Sequence, residues 1–246
     1  MRKPKISFVM PVKNCGSFIA QTFKSLIGQS LKDIEIIAVD DFSTDSTFEV
    51  MEYFKNKDNR IRLFKTTEWM GAGWCRNEGN KYSLADIICV TDAGDIYHKN
   101  KAKITYNYFK KHPDTDILYH SVNNVDIQGR PQRTQMAFNY DYKNYPRGIS
   151  HPTVAYKKEI ILKHPYRTDC KHTDQYEALF IELFKEGYKF VPIMNVLMRK
   201  VDLSHLDTFR DIKEATKQKI RIYKEFNVSI DDTFWKRAGL EKDAIF

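Results

Sequence analysis

Two acidic corners carry the chemistry open to this chain. Thr91-Asp92-Ala93-Gly94-Asp95 sets two carboxylates around a glycine, and Asp40-Asp41 sets two more before the polar turn Phe42-Ser43-Thr44-Asp45-Ser46-Thr47. Unpaired carboxylates are costly to bury, so such pairs need partners. A hard divalent cation, Mg²⁺ or Mn²⁺, bridging to a substrate diphosphate would be one. Capping of backbone N–H groups in a turn is the plainer alternative. Arg76 could meet a diphosphate through charge-assisted hydrogen bonds, or form a surface ion pair.

Both corners follow apolar runs. Asp86-Ile87-Ile88-Cys89-Val90 and Ile34-Glu35-Ile36-Ile37-Ala38-Val39 read as short buried strands, as does Ile6 to Val12, which ends at Lys13-Asn14-Cys15-Gly16. Phe18, Ile19, Phe23, Leu26 and Ile27 then share one helical face, and Phe48, Met51 and Phe54 follow the second strand at helical spacing. Strand, loop and helix repeated in this way build a parallel sheet from βαβ units. The three strand ends face one edge, where open α/β sheets bind ligands. Asn14, Asp40, Asp41, Asp92 and Asp95 are therefore expected to converge there.

Further along, Lys99 to Lys111 reads as a helix stopped by His112-Pro113, and Asp116 to Val122 as a strand. Gln128-Gly129-Arg130-Pro131 reads as a turn. The polar, aromatic stretch Gln132 to Pro146 would suit a lid loop, and Ser150 to Tyr156 is strand-like again. Tyr176, Leu179, Phe180, Leu183 and Phe184 line one face of a helix that Gly187 ends. Thr173 reads as its N-cap, and Asp174 as a first-turn acid complementing the helix dipole. The last stretch, Thr208 to Phe246, interleaves Phe209, Ile212, Ile220, Ile222, Tyr223 and Phe226 with Lys213, Lys217, Lys219, Arg221 and Lys224. That is a basic amphipathic helix. Packing on the domain is the preferred use, ahead of homodimerisation or peripheral contact with an anionic membrane.

A chain of 246 residues makes one domain, or one domain with a tail. The formal charge of +8 favours anionic or phosphorylated partners. The lysines are scattered and no RNA-recognition signature is present, so no nucleic-acid partner is expected. Cys15, Cys75, Cys89 and Cys170 form no C-x-x-C pair and read as reduced thiols of a cytoplasmic protein. No apolar run approaches the ~18 residues of a membrane helix. Pro11 and Lys13 interrupt any signal-peptide core. Gly71-Ala72-Gly73-Trp74-Cys75-Arg76 lacks the last glycine of a dinucleotide fingerprint, and no P-loop sequence occurs.

Four segments together carry a family resemblance: Ile6-Ser7-Phe8-Val9-Met10-Pro11-Val12-Lys13-Asn14, Val39-Asp40-Asp41-Phe42-Ser43-Thr44-Asp45, Gly73-Trp74-Cys75-Arg76-Asn77-Glu78-Gly79 and Thr91-Asp92-Ala93-Gly94-Asp95. In this order they resemble the successive motifs of family 2 glycosyltransferases with the GT-A fold, most of all bacterial enzymes of envelope and capsular polysaccharide synthesis. The resemblance covers the first hundred residues or so and continues more weakly to Ser204. It implies an α/β, Rossmann-like fold with a mixed, mostly parallel sheet flanked by helices and a C-terminal helical tail. Residues 1–95 would be the nucleotide-sugar half, 96–205 the acceptor half and 206–246 the tail.

The same resemblance implies an inverting transfer from a nucleotide sugar to a saccharide or lipid-linked acceptor, at the cytoplasmic face of the membrane. UDP is favoured, because uracil offers an N–H that Asp40 or Asp41 can accept. Pro11, Val12, Asn14, Asp40, Asp41, Arg76 and Asp92 would touch the donor nucleotide, and Asp92, Asp95 and His205 the metal. Thr173-Asp174 takes the place of the acid pair whose second residue is the catalytic base. One departure stands out: Gly94 occupies the place where the family's commonest pattern has an aspartate. A nucleotide-sugar-binding module of the same fold, weakened in catalysis, is the alternative.

Overall fold

The structure is a computed structural model that describes residues 3–126, 128–139, 149–171, 176–201 and 212–226. Its first part alternates β1 (Ile6–Val12), α1 (Ile19–Ile27), β2 (Ile34–Asp40), α2 (Thr47–Lys55), β3 (Ile61–Lys65), α3 (Ala72–Tyr82) and β4 (Ile87–Val90). These four strands are all parallel and lie in the order β3-β2-β1-β4. The carboxyl ends of β2 and β4 therefore flank that of β1 on one edge.

The second part holds β5 (Ile96–Tyr97), α4 (Lys101–Lys111), β6 (Ile117–Val125), β7 (Pro131–Gln135), a 3-10 turn (His151–Thr153), β8 (Ala155–Lys157), α5 (Lys158–Lys163), α6 (Tyr176–Lys185), β9 (Phe190–Val201) and α7 (Ile212–Glu225). The sheet continues from β4 as β8-β6-β9-β5, with β7 beside β6. β8 runs antiparallel to β4 and β6, and β9 parallel to β6. The result is the mixed α/β sheet that the sequence implies.

β1 and β2 are covered on both faces, which is why their sequences read as unbroken apolar runs rather than as alternation. Phe8, Met10, Ile36 and Ala38 face α1, α2 and α4 through Phe23, Leu26, Met51 and Phe109. Val9, Ile37 and Val39 face the other way, toward Cys75, Ile160, Leu179 and Phe180. α3 lies close on this second face because Gly79 has no side chain. A Cβ there would sit 2.5 Å from Cγ1 of Val9.

Two expectations change. Pro131–Gln135, expected to be turn and loop, is an exposed strand antiparallel to β6, with Thr134 Oγ1 donating to Asn123 Oδ1 at 2.8 Å. An edge strand of polar residues has no apolar alternation to reveal it. Of the stretch read as a lid, Gln132 to Pro146, residues 140–146 lie outside the described residues. Ser150 to Tyr156 begins as a 3-10 turn before β8, with Thr153 Oγ1 bonded back to the Ser150 carbonyl at 2.6 Å.

Within 212–226 the tail packs on the domain. Ile220, Ile222 and Tyr223 are buried with Cys170, Ala178 and Ile181, and Tyr223 Oη donates to Glu177 Oε2 at 2.8 Å. Arg221 pairs with Asp169 at 2.8 Å. All four cysteines are buried free thiols. Among the described residues, no helix is long and apolar enough to cross a membrane.

Candidate functional site

At the end of β1 the chain turns through Asn14, whose φ is +47°. Asn14 N–H donates to Ser43 Oγ, and its Oδ1 accepts from Thr44 N–H, both at 2.9 Å. These bonds lock the turns after β1 and β2 together. Pro11 and Val12 lie in the last stretch of β1, with Val12 opposite Asp40.

The two aspartates of the second corner differ sharply. Asp41 takes the backbone N–H groups of Met70 (2.7 Å) and Gly71 (2.8 Å), so its carboxylate anchors the entry into α3. Asp40 is fully buried. Its Oδ2 accepts a long bond from Ser43 N–H (3.4 Å) and lies 3.9 Å from Lys65 Nζ, while Oδ1 has no partner. Burial raises its pKa, opposed by the Ser43 hydrogen bonds and by Lys65 and Lys13. A buried acceptor with no donor calls for an explanation, and a ligand N–H at the strand edge supplies one. Lys13 Nζ donates to the Asp41 and Phe42 carbonyls at 2.9 and 3.3 Å. It lies about equally far from the faces of Phe42 (6.0 Å) and Trp69 (5.8 Å).

The corner after β4 is built around Arg76. This guanidinium lies almost wholly buried on α3, and its Nη2 donates to Asp92 Oδ1 at 2.7 Å. Burial works against its charge, but Asp92 more than compensates and raises its pKa. Asp92 is thereby held in place, its own N–H donating to Tyr97 Oη at 2.9 Å.

Gly94 turns the chain with φ +98°, a region unfavourable to other residues. Its N–H donates to Thr22 Oγ1 (2.9 Å), and its carbonyl accepts from Gln21 Nε2 (2.6 Å). That turn sends Asp95 inward. Asp95 Oδ1 accepts from Val201 N–H at 3.2 Å, at the end of β9, and Oδ2 is buried without a partner. Burial, then the Asp92 charge, pushes the Asp95 carboxyl well above the usual range, against Lys200, the Val201 N–H and Lys101.

These residues fit a hard divalent cation. They offer oxygen donors, one of them a buried carboxylate oxygen with nothing to bind, and the electrostatic deficit of Asp95 is one that a dication reverses. His205, expected as a further ligand, and Asp174, expected as the base, lie outside the described residues.

The sequence reading missed three groups behind these corners. Lys101 is fully buried, donates to the Pro152 carbonyl at 2.7 Å and sits 4.7 Å from the Tyr97 ring centre. Burial lowers it to about 8, against Cys89, Asp95 and Asp92. Tyr166 and His151 meet at 2.9 Å beneath Arg76. No spacing in the sequence marks any of them, because each comes from a different element and only the fold joins them.

A second group of ligand-type side chains, His164 with Glu182 and Glu186, lies away from this edge. Glu182 approaches Nδ1 of the imidazole (3.2 Å) and Glu186 approaches Nε2 (3.4 Å). The two carboxylates thus meet different nitrogens of one ring, which joins α5 to α6.

Residues 7–186 match the model of the glycosyl transferase family 2 domain. An uncharacterized glycosyltransferase of Haemophilus influenzae is 34% identical over 191 residues, covering 76% of this chain and 74% of that protein. Glycosyltransferase GlyG of Streptococcus pneumoniae is 31% identical over 121 residues, and the match spans 49% of this chain but only 40% of GlyG. The Escherichia coli UDP-Glc:alpha-D-GlcNAc-diphosphoundecaprenol beta-1,3-glucosyltransferase WfgD is 28% identical over 74% of this chain and 70% of its own length.

Among solved structures, Staphylococcus aureus TarS in complex with UDP-GlcNAc superposes with a TM-score of 0.72 at 17% identity, over 95% of this chain and 70% of that one. Against a longer TarS structure this chain spans 42% of the length. The mannosyltransferase PcManGT of Pyrobaculum calidifontis, in complex with GDP-Man and Mn²⁺, gives 0.67 at 15% identity, over 96% and 68% of the two chains. These likenesses establish a glycosyltransferase GT-A fold, and the family match establishes membership: the chain belongs to glycosyl transferase family 2.

Proposed function

We propose that this glycosyltransferase moves a sugar from a UDP-sugar to a saccharide or lipid-linked acceptor, with inversion at the anomeric carbon. The observation that carries the reading is the pair of unpartnered buried oxygens, Asp40 Oδ1 and Asp95 Oδ2, at the carboxyl ends of strands on either side of β1. One suits the N–H of a pyrimidine, the other a cation on a diphosphate. The names of two proteins similar to this chain support the donor class: WfgD takes UDP-Glc, and TarS was solved with UDP-GlcNAc. WfgD's acceptor, a sugar on diphosphoundecaprenol, supports a lipid-linked acceptor; action at the cytoplasmic membrane face belongs to the same proposal.

The chain's own residues divide the work. Asp40 accepts the base N–H, and the turn locked by Asn14 and Ser43 shapes that end of the cleft. Arg76 fixes Asp92 beside the diphosphate position. Asp92 and Asp95, with His205, would hold Mg²⁺ or Mn²⁺; PcManGT, which was solved with Mn²⁺, supports a divalent ion. When bound, that ion supplies countercharge to the leaving diphosphate. Asp174 takes the proton of the acceptor hydroxyl as its oxygen bonds to the anomeric carbon, while the bond from that carbon to the diphosphate oxygen breaks on the opposite face. UDP leaves with the bonding electron pair.

A second reading has an observation of its own. Gly94 stands where an aspartate is commonest, and one oxygen of Asp95 is already taken by Val201 N–H. A domain that binds nucleotide sugar but transfers poorly would look like this. Thermal shifts with UDP- and GDP-sugars, with and without Mn²⁺, followed by a UDP-release assay with saccharide acceptors, separate the two. A ligand at 100 times its Kd stabilises by about 2.7 kcal/mol. UDP-sugar stabilisation without acceptor-dependent UDP release favours the second reading, and no UDP-sugar stabilisation overturns both.

A further inference from the structure

We propose that His151 is a positioning residue that ties the start of α6 to the Arg76–Asp92 pair, so that occupancy of the donor edge is felt at the acceptor-side helix. The inference rests on the reading of that edge as a nucleotide-sugar site.

His151 opens the 3-10 turn before β8 and is buried. Its ring stacks on Tyr176, the first residue of α6, with centroids 4.4 Å apart and planes 11° from parallel. It also meets Phe180 edge-on at 5.8 Å. On the other side, its Nε2 lies 2.9 Å from Tyr166 Oη.

Tyr166 is pinned to α3: its N–H donates to Asn77 Oδ1 and its carbonyl accepts from Asn77 Nδ2, each at 2.8 Å. The Tyr166 ring lies 5.8 Å from the Arg76 guanidinium, which holds Asp92. Tyr166 Oη also lies 3.3 Å from Tyr156 Oη, which donates to Asn80 Oδ1 at 3.3 Å. Helix α3 and β8 thus meet at Tyr166, and Tyr166 reaches α6 through one imidazole. In sequence, Tyr176 follows Asp174 by two residues.

A phenyl ring would stack on Tyr176 and Phe180 equally well, so the nitrogen is there for the bond to Tyr166. Burial first, then Arg76 and Lys200, push the His151 pKa well below its ordinary range. The ring therefore acts as a neutral hydrogen-bonding group rather than as a charge. Two contacts on opposite sides of one buried ring make a short, rigid connection, and interiors transmit such displacements because they are close-packed.

The test compares His151→Phe, Tyr166→Phe and the double variant with the parent chain. UDP affinity measured by calorimetry should stay within about 3-fold, while kcat falls about 10- to 100-fold, the scale of a small misplacement of a reacting group. The pH profile should keep its limbs. Because both single variants delete the same bond, the double variant should lose no more than the worse single one. A readout free of turnover is hydrogen exchange: UDP should slow the α6 amides in the parent and not in the variants.

Unchanged kcat with a lowered Tm would make His151 core packing only, and a displaced pH limb would make it an acid–base group instead. Absence of UDP protection of α6 in a parent that binds UDP would overturn the coupling. A parent that binds no UDP would overturn the donor-site reading itself, and this inference with it. Should His151→Phe fail to fold, Tyr166→Phe is read against Tyr156→Phe, which removes the other partner of the Tyr166 hydroxyl and should leave kcat unchanged; equal losses in the two would overturn the assignment to His151.

Discussion

Asp95→Asn should make the cation-free protein more stable at neutral pH while abolishing its response to cation. The carboxyl is buried, its pKa is pushed well above the usual range by that burial and by Asp92, and Oδ2 has no donor. A raised carboxyl pKa means the folded chain binds the proton more tightly than the unfolded one. Its stabilising contribution is complete below the unfolded value of about 3.9 and is lost as pH rises through the folded value, at about 1.36 kcal/mol per unit of difference. Asparagine keeps Oδ1 as acceptor for the Val201 N–H and carries no charge to desolvate. An uncharged amide nitrogen in place of the charged oxygen, itself without an acceptor there, should be worth about 1 kcal/mol net, or roughly 2–4 °C in Tm for each kcal/mol in a chain of this size.

The assay is scanning calorimetry in chelator at pH 7.5 and at pH 5. The variant should melt above the parent at pH 7.5, and the gap should narrow at pH 5 as the parent binds its proton. Adding Mn²⁺ and UDP should then raise the parent and leave the variant nearly unmoved. A variant less stable than the parent at both pH values, or a gap that does not change with pH, would refute the reasoning.

Other outcomes follow from single contacts. Asp40→Asn removes a buried charge but also gives up the approach of Lys65 at 3.9 Å, so folding should change by under about 1 kcal/mol while UDP affinity falls roughly 10-fold, which calorimetry reads directly. Asp174→Asn should keep UDP affinity and lower turnover about 10²- to 10⁴-fold; transfer at the parent rate would leave that acid as a helix-dipole partner. Gly79→Ala places a Cβ 2.5 Å from Val9 Cγ1. It should destabilise by about 1–3 kcal/mol in urea titration, and a neutral result would show that α3 can lift off β1.

The parallel half of the fold was legible because its strands are apolar throughout and end in residues that turn the chain. Ile36 to Val39 or Ile87 to Val90 fits little else. The strand-end acids were legible for the same reason. What each acid does was not. Asp40 and Asp41 are neighbours of one type, yet Asp41 spends both oxygens on the amides before α3, and only Asp40 keeps one unmatched. That difference depends on where Met70 and Gly71 arrive, which no spacing announces. β7 escaped notice because its residues are polar and exposed, and it owes its strand to the register offered by β6. Lys101, Tyr166 and His151 escaped because a lone lysine, tyrosine or histidine is most often at the surface or in the core, and their meaning comes from partners far off in the chain.

The electrostatics of the β4 corner bear on how a cation would be chosen. A guanidinium does not deprotonate in proteins, so buried Arg76 needs Asp92 as its counter-ion whether or not a ligand is bound. That pairing offsets the Asp92 charge only in part, since Asp92 still raises the Asp95 pKa, and Asp95 faces burial with Lys200, the Val201 N–H and Lys101 as its compensation. A monovalent ion offers little against that burial. A dication that also binds a diphosphate brings its own anion, so its surplus charge is met by the ligand rather than by the protein. An entering cation must still displace whatever proton Asp95 holds, so cation loading and proton release are linked. On the proposed reading, the inward turn at Gly94 that makes Asp95 difficult to ionise would also tie its ionisation to the arrival of cation and diphosphate together.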